Sequence, residues 1–412
     1  MENHPCFNPS AATLHSRIHL PVAPACNIQC RFCNRRYDCA GELRPGVTSA
    51  VLSPKQALHY LKEALVELGP VAVVGIAGPG DAFTEPCFTL ETLDLVRTYY
   101  PEIALCVATN GLNISPYAAS LAAVGVRHVS VTVNAVEPAI GAQIVSWVRF
   151  QRRAFRGVEG AALLWEKQQQ GIRALCENGI TVKVNTIVIP GINDHHITDI
   201  AKAVTAIGAN VFNPIAFIPV EGSELAQNEA PDHEIMQKVR WEASRHCTVV
   251  RHCTRCRADA AGLLGKTNTP AIDETLRRIA AGPLDPTQDR PNIAVASREG
   301  LLVNEHLGKA DYFFIYEKTD TGLNCIVQRA APRIGQGLDR WRNIAEVLGD
   351  CRALIVNQAG EPPIAALYEE GIKVIVTEGL VEDALDAVFS GRTCAPVMAK
   401  RPCDGQRSSG GC

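Results

Sequence analysis

Residues 18–33 read Ile18-His19-Leu20-Pro21-Val22-Ala23-Pro24-Ala25-Cys26-Asn27-Ile28-Gln29-Cys30-Arg31-Phe32-Cys33, an apolar run that leads into three closely spaced cysteines. Thiolates with three and then two intervening residues can hold three irons of a cubane iron–sulfur cluster. The fourth iron stays open, as a catalytic metal site requires. The spacing therefore predicts a catalytic cluster immediately after a strand.

After this stretch, as far as about Pro219, short apolar runs alternate with segments whose apolar residues have helical spacing. Ser53-Pro54 predicts the start of a helix that Gly69 ends. Six β–α units in series predict a parallel sheet covered on both faces, hence a full or partial β/α barrel with its chemistry at the carboxyl ends of the strands. The predicted strands are Ile18–Val22, Val71–Gly78, Ile103–Thr109, His128–Ala135, Thr181–Pro190 and Asn210–Ile218.

The three cysteines resemble the CxxxCxxC signature of the radical S-adenosylmethionine (SAM) superfamily. The resemblance implies that Cys26, Cys30 and Cys33 bind a 4Fe-4S cluster and that SAM occupies its open iron. The alternatives for the cysteines alone are a zinc site or accidental clustering.

Polar residues at the predicted strand ends fit such a cofactor. Glycines let backbone approach the SAM amine, a carboxylate can hold its ammonium, and Asn side chains can bind ribose hydroxyls. Each residue taken singly is also compatible with a turn or an Asx cap. The candidates for SAM binding are Gly78, Gly80, Asp81, Glu85, Asn110, Thr132, Asn134, Asn185 and Val188.

The surroundings of the first motif resemble the NifB family, whose members build the iron–sulfur–carbide core of the nitrogenase cofactor. The similar stretches, which extend over roughly residues 5–265, include His4-Pro5-Cys6, Asn34-Arg35-Arg36-Tyr37-Asp38-Cys39, Pro190-Gly191-Ile192-Asn193-Asp194 and Cys253-Thr254-Arg255-Cys256. The resemblance implies SAM-dependent methyl transfer, radical hydrogen abstraction and fusion of two 4Fe-4S clusters, in a lyase-type enzyme.

The same resemblance implies two auxiliary clusters as precursors, and so three 4Fe-4S clusters in all. One would be held by Cys6, Cys39 and Cys106, and the other by His19, Cys253 and Cys256. Without the resemblance, His19 would be interpreted as a buried core histidine. Cys253 and Cys256 could instead be half of a zinc site completed by Cys247 with His246 or His252.

A basic run follows the fourth strand, at Arg149, Arg152, Arg153 and Arg156, interleaved with Phe150 and Phe155. Such a run is usually a solvated helix face, although arginines can also compensate the negative charge of clusters. We interpret most of it as a solvated face, with Arg156 as the functional candidate. The predicted catalytic residues are thus His19, Glu85 and Arg156.

A second α/β pattern follows a Thr-, Pro- and Gly-rich segment. We predict a catalytic domain over residues 1–265, a linker over 266–290 with one short helix at Ile272–Ala281, a smaller α/β domain over 291–392 and a disordered tail over 393–412. The smaller domain resembles the NifX-like, ribonuclease H-like domain that some NifB proteins append, by way of Asn304-Glu305-His306-Leu307-Gly308-Lys309-Ala310.

Composition limits the environment. A net charge of −3 argues against a nucleic-acid or membrane surface. Sixteen cysteines in a chain of 412 residues without a predicted signal peptide indicate metal binding in a reducing, cytoplasmic compartment. The expected partners are a small electron donor (ferredoxin or flavodoxin), an iron–sulfur cluster donor and a downstream cofactor carrier or scaffold.

Two other functions compete. One is a different radical SAM enzyme with auxiliary clusters, of the molybdopterin-precursor or peptide-modifying type. Such an enzyme would carry its auxiliary cysteines only on the C-terminal side of the barrel, whereas Cys6, Cys39 and Cys106 lie in the N-terminal half. The other is a non-catalytic iron–sulfur carrier, which needs neither an open iron nor polar residues at strand ends.

Overall fold

In a computed structural model the chain forms two compact units, residues 1–280 and 281–412. The structure describes residues 4–34, 47–253, 256–281, 290–320, 322–332 and 339–390. Cys39, which was predicted as a cluster ligand, and the predicted tail lie outside these residues.

All six predicted strands of the first unit are present and lie side by side, parallel, in the order in which they follow one another along the chain. The strands of this unit are β1 (Ser16–His19), β2 (Ile28–Cys30), β3 (Val71–Ile76), β4 (Ala104–Thr109), β5 (Val126–Thr132), β6 (Val145–Phe150), β7 (Arg153–Phe155), β8 (Thr181–Val188), β9 (Val211–Ala216) and β10 (Ala261–Gly262). The main sheet has the order β10-β1-β3-β4-β5-β8-β9, and β10 pairs antiparallel with β1 at one edge. The fold is the curled, partial β/α barrel that the sequence predicted.

Helices follow the strands and bury one face against the sheet. They are α1 (Pro9–Ala12), α2 (Pro54–Leu68), α3 (Pro86–Tyr99), α4 (Ala118–Ala123), α5 (Pro138–Ile144), α6 (Gly157–Glu177), α7 (Ile197–Ala206), α8 (His233–Ser244) and α9 (Pro270–Ala281). The predicted start of α2 is confirmed by a capping box, in which the side chains of Ser53 and Gln56 each bond the other residue's backbone amide. Within the described residues, no helix has the length and apolar character needed to cross a membrane.

Strand alternation decides which side chains face the inside of the curl. Along β4, Leu105, Val107 and Thr109 are buried on one side, so Cys106 and its alternate neighbours point to the other. This inward face carries the chemistry of the first unit.

The basic run is not the helix face that we predicted. Arg149 lies on β6 and Arg153 on β7, and the two strands form a hairpin whose turn residues Gln151 and Arg152 have φ of 48° and 65°. Two consecutive positive φ values match the twist of a tight hairpin, and this turn chemistry was not recognisable because neither residue is Gly or Asn. The hairpin adds β2, the strand that carries Cys30, in a second sheet of order β2-β6-β7.

The predicted linker contains the predicted helix, here α9. Its Ile272, Leu276 and Ile279 are buried in the core of the first unit. Their spacing of four and three residues gives one apolar stripe, which is why this part of the segment packs instead of bridging.

The second unit holds the mixed α/β pattern that the sequence predicted. Its elements are β11 (Asn292–Ala296), β12 (Leu302–Val303), β13 (Tyr312–Thr319), β14 (Gly322–Ala330), α10 (Asp339–Val347), β15 (Cys351–Val356), α11 (Glu361–Glu369), β16 (Lys373–Val376), β17 (Gly379–Leu380) and α12 (Val381–Phe389). A five-stranded sheet of order β14-β13-β11-β15-β16 forms its centre.

Candidate functional site

A cavity of about 320 Å³ lies on the inward face of the main sheet. Eight of the nine predicted cluster ligands line it, and the ninth is Cys39, which is outside the described residues. The eight are Cys6, His19, Cys26, Cys30, Cys33, Cys106, Cys253 and Cys256. The structure thus brings together cysteines from both ends of the first unit around one space.

The first three cysteines sit on a loop tied down by its own backbone. Cys30 is the last residue of β2, and the amide of Cys33 donates to its carbonyl at 3.0 Å. The side chain of Gln29 donates to the carbonyls of Cys30 and Cys33, both at 3.0 Å. These bonds fix the backbone of the loop whose three cysteines line the cavity.

A second anchor holds this loop from the end of β3. The amides of Gly80 and Asp81 donate to the carbonyls of Ala23 and Ala25, at 2.6 and 2.7 Å. The approach is so close that a Cβ on Gly80 would stand 1.9 Å from the Ala25 oxygen. Glycine is therefore required here for contact between two backbone segments.

The Asp81 carboxylate is used inside the protein. It accepts hydrogen bonds from the amides of Phe83 and Asn110 and from the Thr109 hydroxyl, at 2.9, 2.6 and 2.9 Å. Burial raises the pKa of Asp81, and these bonds oppose that rise. Asp81 thus fixes the end of β4 and with it Asn110.

Asn110, Thr132, Asn134 and Asn185 all line the cavity, as the barrel prediction required of residues at strand ends. The Asn110 amide nitrogen lies 3.8 Å from Cys26 Sγ, so this residue contacts the first motif directly. Gly80 and Asp81, also predicted to bind SAM, line the cavity as well.

Four candidates are not among the residues that line the cavity: Gly78, Glu85, Arg156 and Val188. Val188 is fully buried in the apolar core, Arg156 is exposed at the start of α6, and Glu85 precedes α3. Gly78 precedes Pro79, which does line the cavity. Their assigned roles stay predictions.

His19 is oriented as a metal-binding imidazole would be. Its Nδ1 lies 2.9 Å from the carbonyl of Arg257, which can only accept, so Nδ1 carries the proton and Nε2 has a lone pair. Cys106 Sγ and His19 Nε2 both lie close to Gly75. A Cβ added to this glycine would be 2.9 Å from the sulfur and 3.4 Å from the nitrogen. Burial lowers the pKa of His19 to about 4, which keeps the ring neutral at pH 7.

Cys6 enters the cavity on an N-terminal arm. His4 and Phe7 pack their rings on His128 of β5, with centroids 4.6 and 4.7 Å apart, and so hold the arm against the inward face. Burial raises the pKa of the Cys6 thiol to about 11 and that of Cys106 to about 12. Iron binds thiolates, so its binding must supply the free energy needed to deprotonate these two thiols.

Cys253 and Cys256 reach the cavity from the segment before β10. Cys247, a candidate for completing a zinc site, instead packs against the apolar core, with its thiol 3.4 Å from the Ala243 carbonyl. His252, another candidate, contacts the carbonyl of Pro5 at 3.1 Å. Across the described ranges, no three His, Cys, Asp or Glu side chains meet around a single-ion site. The thiols surround a larger volume instead.

A buried ion pair fixes the cysteine segment. Arg257 bonds both carboxylate oxygens of Asp259, at 2.7 and 3.0 Å, and the amide of Ser49 adds a bond of 2.7 Å. Burial alone would raise the pKa of Asp259, but these bonds outweigh it and leave the pKa below its usual 3.8.

We expect Asp259→Asn to lower the free energy of unfolding by about 3 kcal/mol at neutral pH, because it removes a carboxylate charge that compensates the buried Arg257 guanidinium. The folded-state pKa of Asp259 is depressed, so its stabilisation is complete above the usual value of 3.8 and is lost as the pH falls through the folded value. Denaturant unfolding of both proteins between pH 7 and pH 3 measures this. A difference that does not shrink in acid would contradict the prediction.

Three residues of the site were missed by sequence analysis. Gln168 of α6 donates to the carbonyls of Asn110 and Thr132 at 2.8 and 2.9 Å, Arg17 of β1 lies 3.5 Å from Cys256 Sγ, and Lys183 of β8 lines the cavity. The available signal was a polar residue at an inward position of a predicted strand, as at Lys183 between two valines.

Two family profiles match. The Radical SAM superfamily covers residues 20–204, and the family described as dinitrogenase iron-molybdenum cofactor covers residues 290–391. The FeMo cofactor biosynthesis protein NifB of Chlorobaculum tepidum is 46% identical over 400 residues, which span 97% of this chain and 94% of that protein. The chain belongs to the NifB family. NifB of Bradyrhizobium diazoefficiens is 35% identical (91% of this chain, 83% of the relative), and NifB of Azotobacter vinelandii is 34% identical (94% and 88%).

Membership of the NifB family confirms the resemblance drawn from residues 5–265 and from the NifX-like second domain. It makes the first unit a radical SAM enzyme with a 4Fe-4S cluster and SAM. The donor set fits that cluster, because Cys26, Cys30 and Cys33 line the cavity together with Asn110, and three thiolates would hold three irons of a cubane.

Proposed function

We propose that this chain builds the iron–sulfur–carbide core of the nitrogenase cofactor from two 4Fe-4S clusters, which are its substrates. The observation that carries the proposal is the convergence of His19, Cys6, Cys106 and the Cys253/Cys256 pair on the cavity that also holds the CxxxCxxC cysteines. The competing radical SAM enzymes would carry auxiliary cysteines only on the C-terminal side of the barrel, whereas Cys6 and Cys106 come from the N-terminal half.

The ligand set suits substrates that must later leave. Each substrate cluster would take three protein ligands: one Cys6, Cys39 and Cys106, the other His19, Cys253 and Cys256. Incomplete ligation leaves each cluster releasable, and a neutral imidazole is a weaker anchor than a thiolate. Each proposed ligand set has one member close to Gly75, namely Cys106 for the first cluster and His19 for the second.

The SAM cluster, when bound, supplies the electron that cleaves SAM reductively. The proposed sequence begins with methyl transfer from one SAM to a substrate sulfide, followed by hydrogen abstraction from that methyl by the radical from a second SAM. Further deprotonation of this carbon then leaves the carbide as the two substrates fuse, with one extra sulfur added from a separate sulfur source. It is a lyase-type, SAM-cleaving reaction.

The chain's own part is positioning. Asn110, Thr132, Asn134 and Asn185 line the space where SAM would lie, and Asp81 and Gln168 hold the strand ends that carry the first two. Orienting SAM toward the substrates in an enclosed site is how the protein accelerates the reaction. An electron donor such as ferredoxin or flavodoxin, a cluster donor and a product carrier are the partners this requires.

Incubation of the anoxically reconstituted protein with SAM and dithionite tests the proposal. We expect both 5′-deoxyadenosine and S-adenosylhomocysteine, the products of the two uses of SAM. Cys30→Ala, which removes one ligand of the SAM cluster, should release neither. If the wild-type protein forms neither compound, the proposed function is rejected.

The iron content separates the competing functions. Three cubanes predict about twelve irons per chain at four irons each. Clearly fewer than about twelve irons with SAM cleavage would favour a different radical SAM enzyme. The absence of any SAM effect on the cluster's electron paramagnetic resonance would favour a non-catalytic carrier.

A further inference from the structure

The ammonium of Lys183 is a positive charge buried in the cavity, with no carboxylate partner among the described residues. Lys183 is 4% exposed and lies on the inward face of β8. Within the part of the chain that the structure describes, no Asp or Glu forms an ion pair with it. Burying a charge is costly unless an opposite charge compensates it, so this position calls for an anion.

The contacts of Lys183 show where that anion would be. Its Nζ lies 3.4 Å from the carbonyl of Cys6 and 4.8 Å from the centre of the Phe7 ring. Both residues belong to the N-terminal arm, and Cys6 is a proposed ligand of a substrate cluster. A carbonyl and one aromatic face leave at least one of the three ammonium hydrogens for another acceptor.

A second buried cation lies beside the Cys253/Cys256 pair. Arg17 is 2% exposed, and its Nη2 lies 3.5 Å from Cys256 Sγ. Two protein carbonyls hold it, since Nη1 donates to those of Gly262 and Leu263. Among the described residues its Nε has no hydrogen-bond partner, so the Arg17 guanidinium, like the Lys183 ammonium, has donor capacity left.

We propose that Lys183 binds the anionic iron–sulfur substrate held by Cys6 and Cys106. The ammonium would donate a charge-assisted hydrogen bond to a sulfur atom of that cluster. This inference rests on the proposed function, because it takes the auxiliary clusters to be substrates in this cavity. A cubane with thiolate ligands carries net negative charge, which the ammonium would neutralise at short range.

Lys183→Gln tests the charge, because the amide can still donate a hydrogen bond toward the arm. Lys183→Arg restores the charge, and Lys202→Met is the matched control, since Lys202 is an exposed residue of α7. The four proteins are reconstituted with iron and sulfide, and iron per chain, its rate of loss to a chelator and the thermal midpoint of the apo protein are measured.

We expect Lys183→Gln to keep the SAM cluster and its response to SAM. Its remaining iron should be lost to the chelator at least about 10-fold faster than in the wild type, as the loss of one charge-assisted bond implies. Lys183→Arg should restore most of the retention, and Lys202→Met should behave as wild type. If instead the arm were merely anchored by Lys183, iron retention would follow the apo midpoint and not the charge.

The outcomes separate this inference from the proposed function. Wild type with about twelve irons, and Lys183→Gln with the same iron and the same rate of loss, would overturn the role of Lys183 alone. Wild type with only about four irons would overturn both, on the count of four irons per cubane. Should Lys183→Gln fail to fold, Lys183→Met is measured in its place, and a wild-type rate of iron loss from that uncharged variant would contradict the charge interaction.

Discussion

Gly80→Ala should lose the SAM cluster and destabilise the first unit by about 3 kcal/mol or more. The new Cβ would lie 1.9 Å from the carbonyl oxygen of Ala25 and 3.0 Å from that of Ala23. Both obstacles are backbone atoms, which cannot turn away as a side chain can. The substitution must therefore separate the end of β3 from the loop that leads to Cys26.

Separation of these two segments also breaks the hydrogen bonds from Gly80 and Asp81 to that loop. We expect the purified variant to hold less iron and to show no change in its cluster signal when SAM is added. Denaturant unfolding of the apo protein measures the loss of stability independently of the cluster.

Gly179→Ala is the matched control in the same unit. Gly179 has φ of 73° but open space around its Cβ position, so only backbone strain of about 1 kcal/mol opposes alanine there. A Gly80→Ala protein as stable as this control, with a normal cluster, would show that the two backbone segments do not need their close contact.

Much of the main sheet could be predicted from sequence because its determinants are local. Six apolar runs with helical periodicity between them allow few alternatives to a parallel sheet, and strand ends then identify where polar residues gather. Asn110 and Asn134 were found in this way. The identity of each strand's inward residues follows from alternation alone.

Other features depend on contacts between distant residues. The sheet of β2, β6 and β7 pairs Ile28 with Val148, 120 positions apart, and its short strands carry little periodicity. The N-terminal arm that carries Cys6 is held in place because the rings of His4 and Phe7 pack against His128. No local sequence pattern predicts this contact. Family resemblance supplied Cys6 where physical reasoning from the sequence could not.

Asp81 shows how a correct location can conceal a different function. Its position after a strand end suggested a carboxylate for the SAM ammonium. In the structure both oxygens are occupied by Phe83, Thr109 and Asn110, so its evident role is to orient the neighbouring strand end. Hydrogen-bond partners that lie about 30 residues away decide between these roles.

His19→Ala should retain the SAM cluster and yet make almost no fused product. Removing the imidazole leaves its substrate cluster with the Cys253 and Cys256 thiols only. We expect a loss of affinity for that cluster beyond the roughly 10–100-fold that follows loss of an outer-shell partner, because a direct ligand is removed. Iron per chain should fall from about twelve toward eight, at four irons per cubane.

The control for this variant is His196→Gln. His19 and His196 are each 7% exposed, but only His19 lines the cavity. Both variants lose a buried imidazole, so a general loss of packing would affect both, whereas loss of a ligand affects His19→Ala alone. Single-turnover SAM cleavage, which depends on the SAM cluster, should continue in both proteins. Equal iron and equal product in the two variants would mean that His19 is a core histidine, and the second substrate cluster would then need another third ligand.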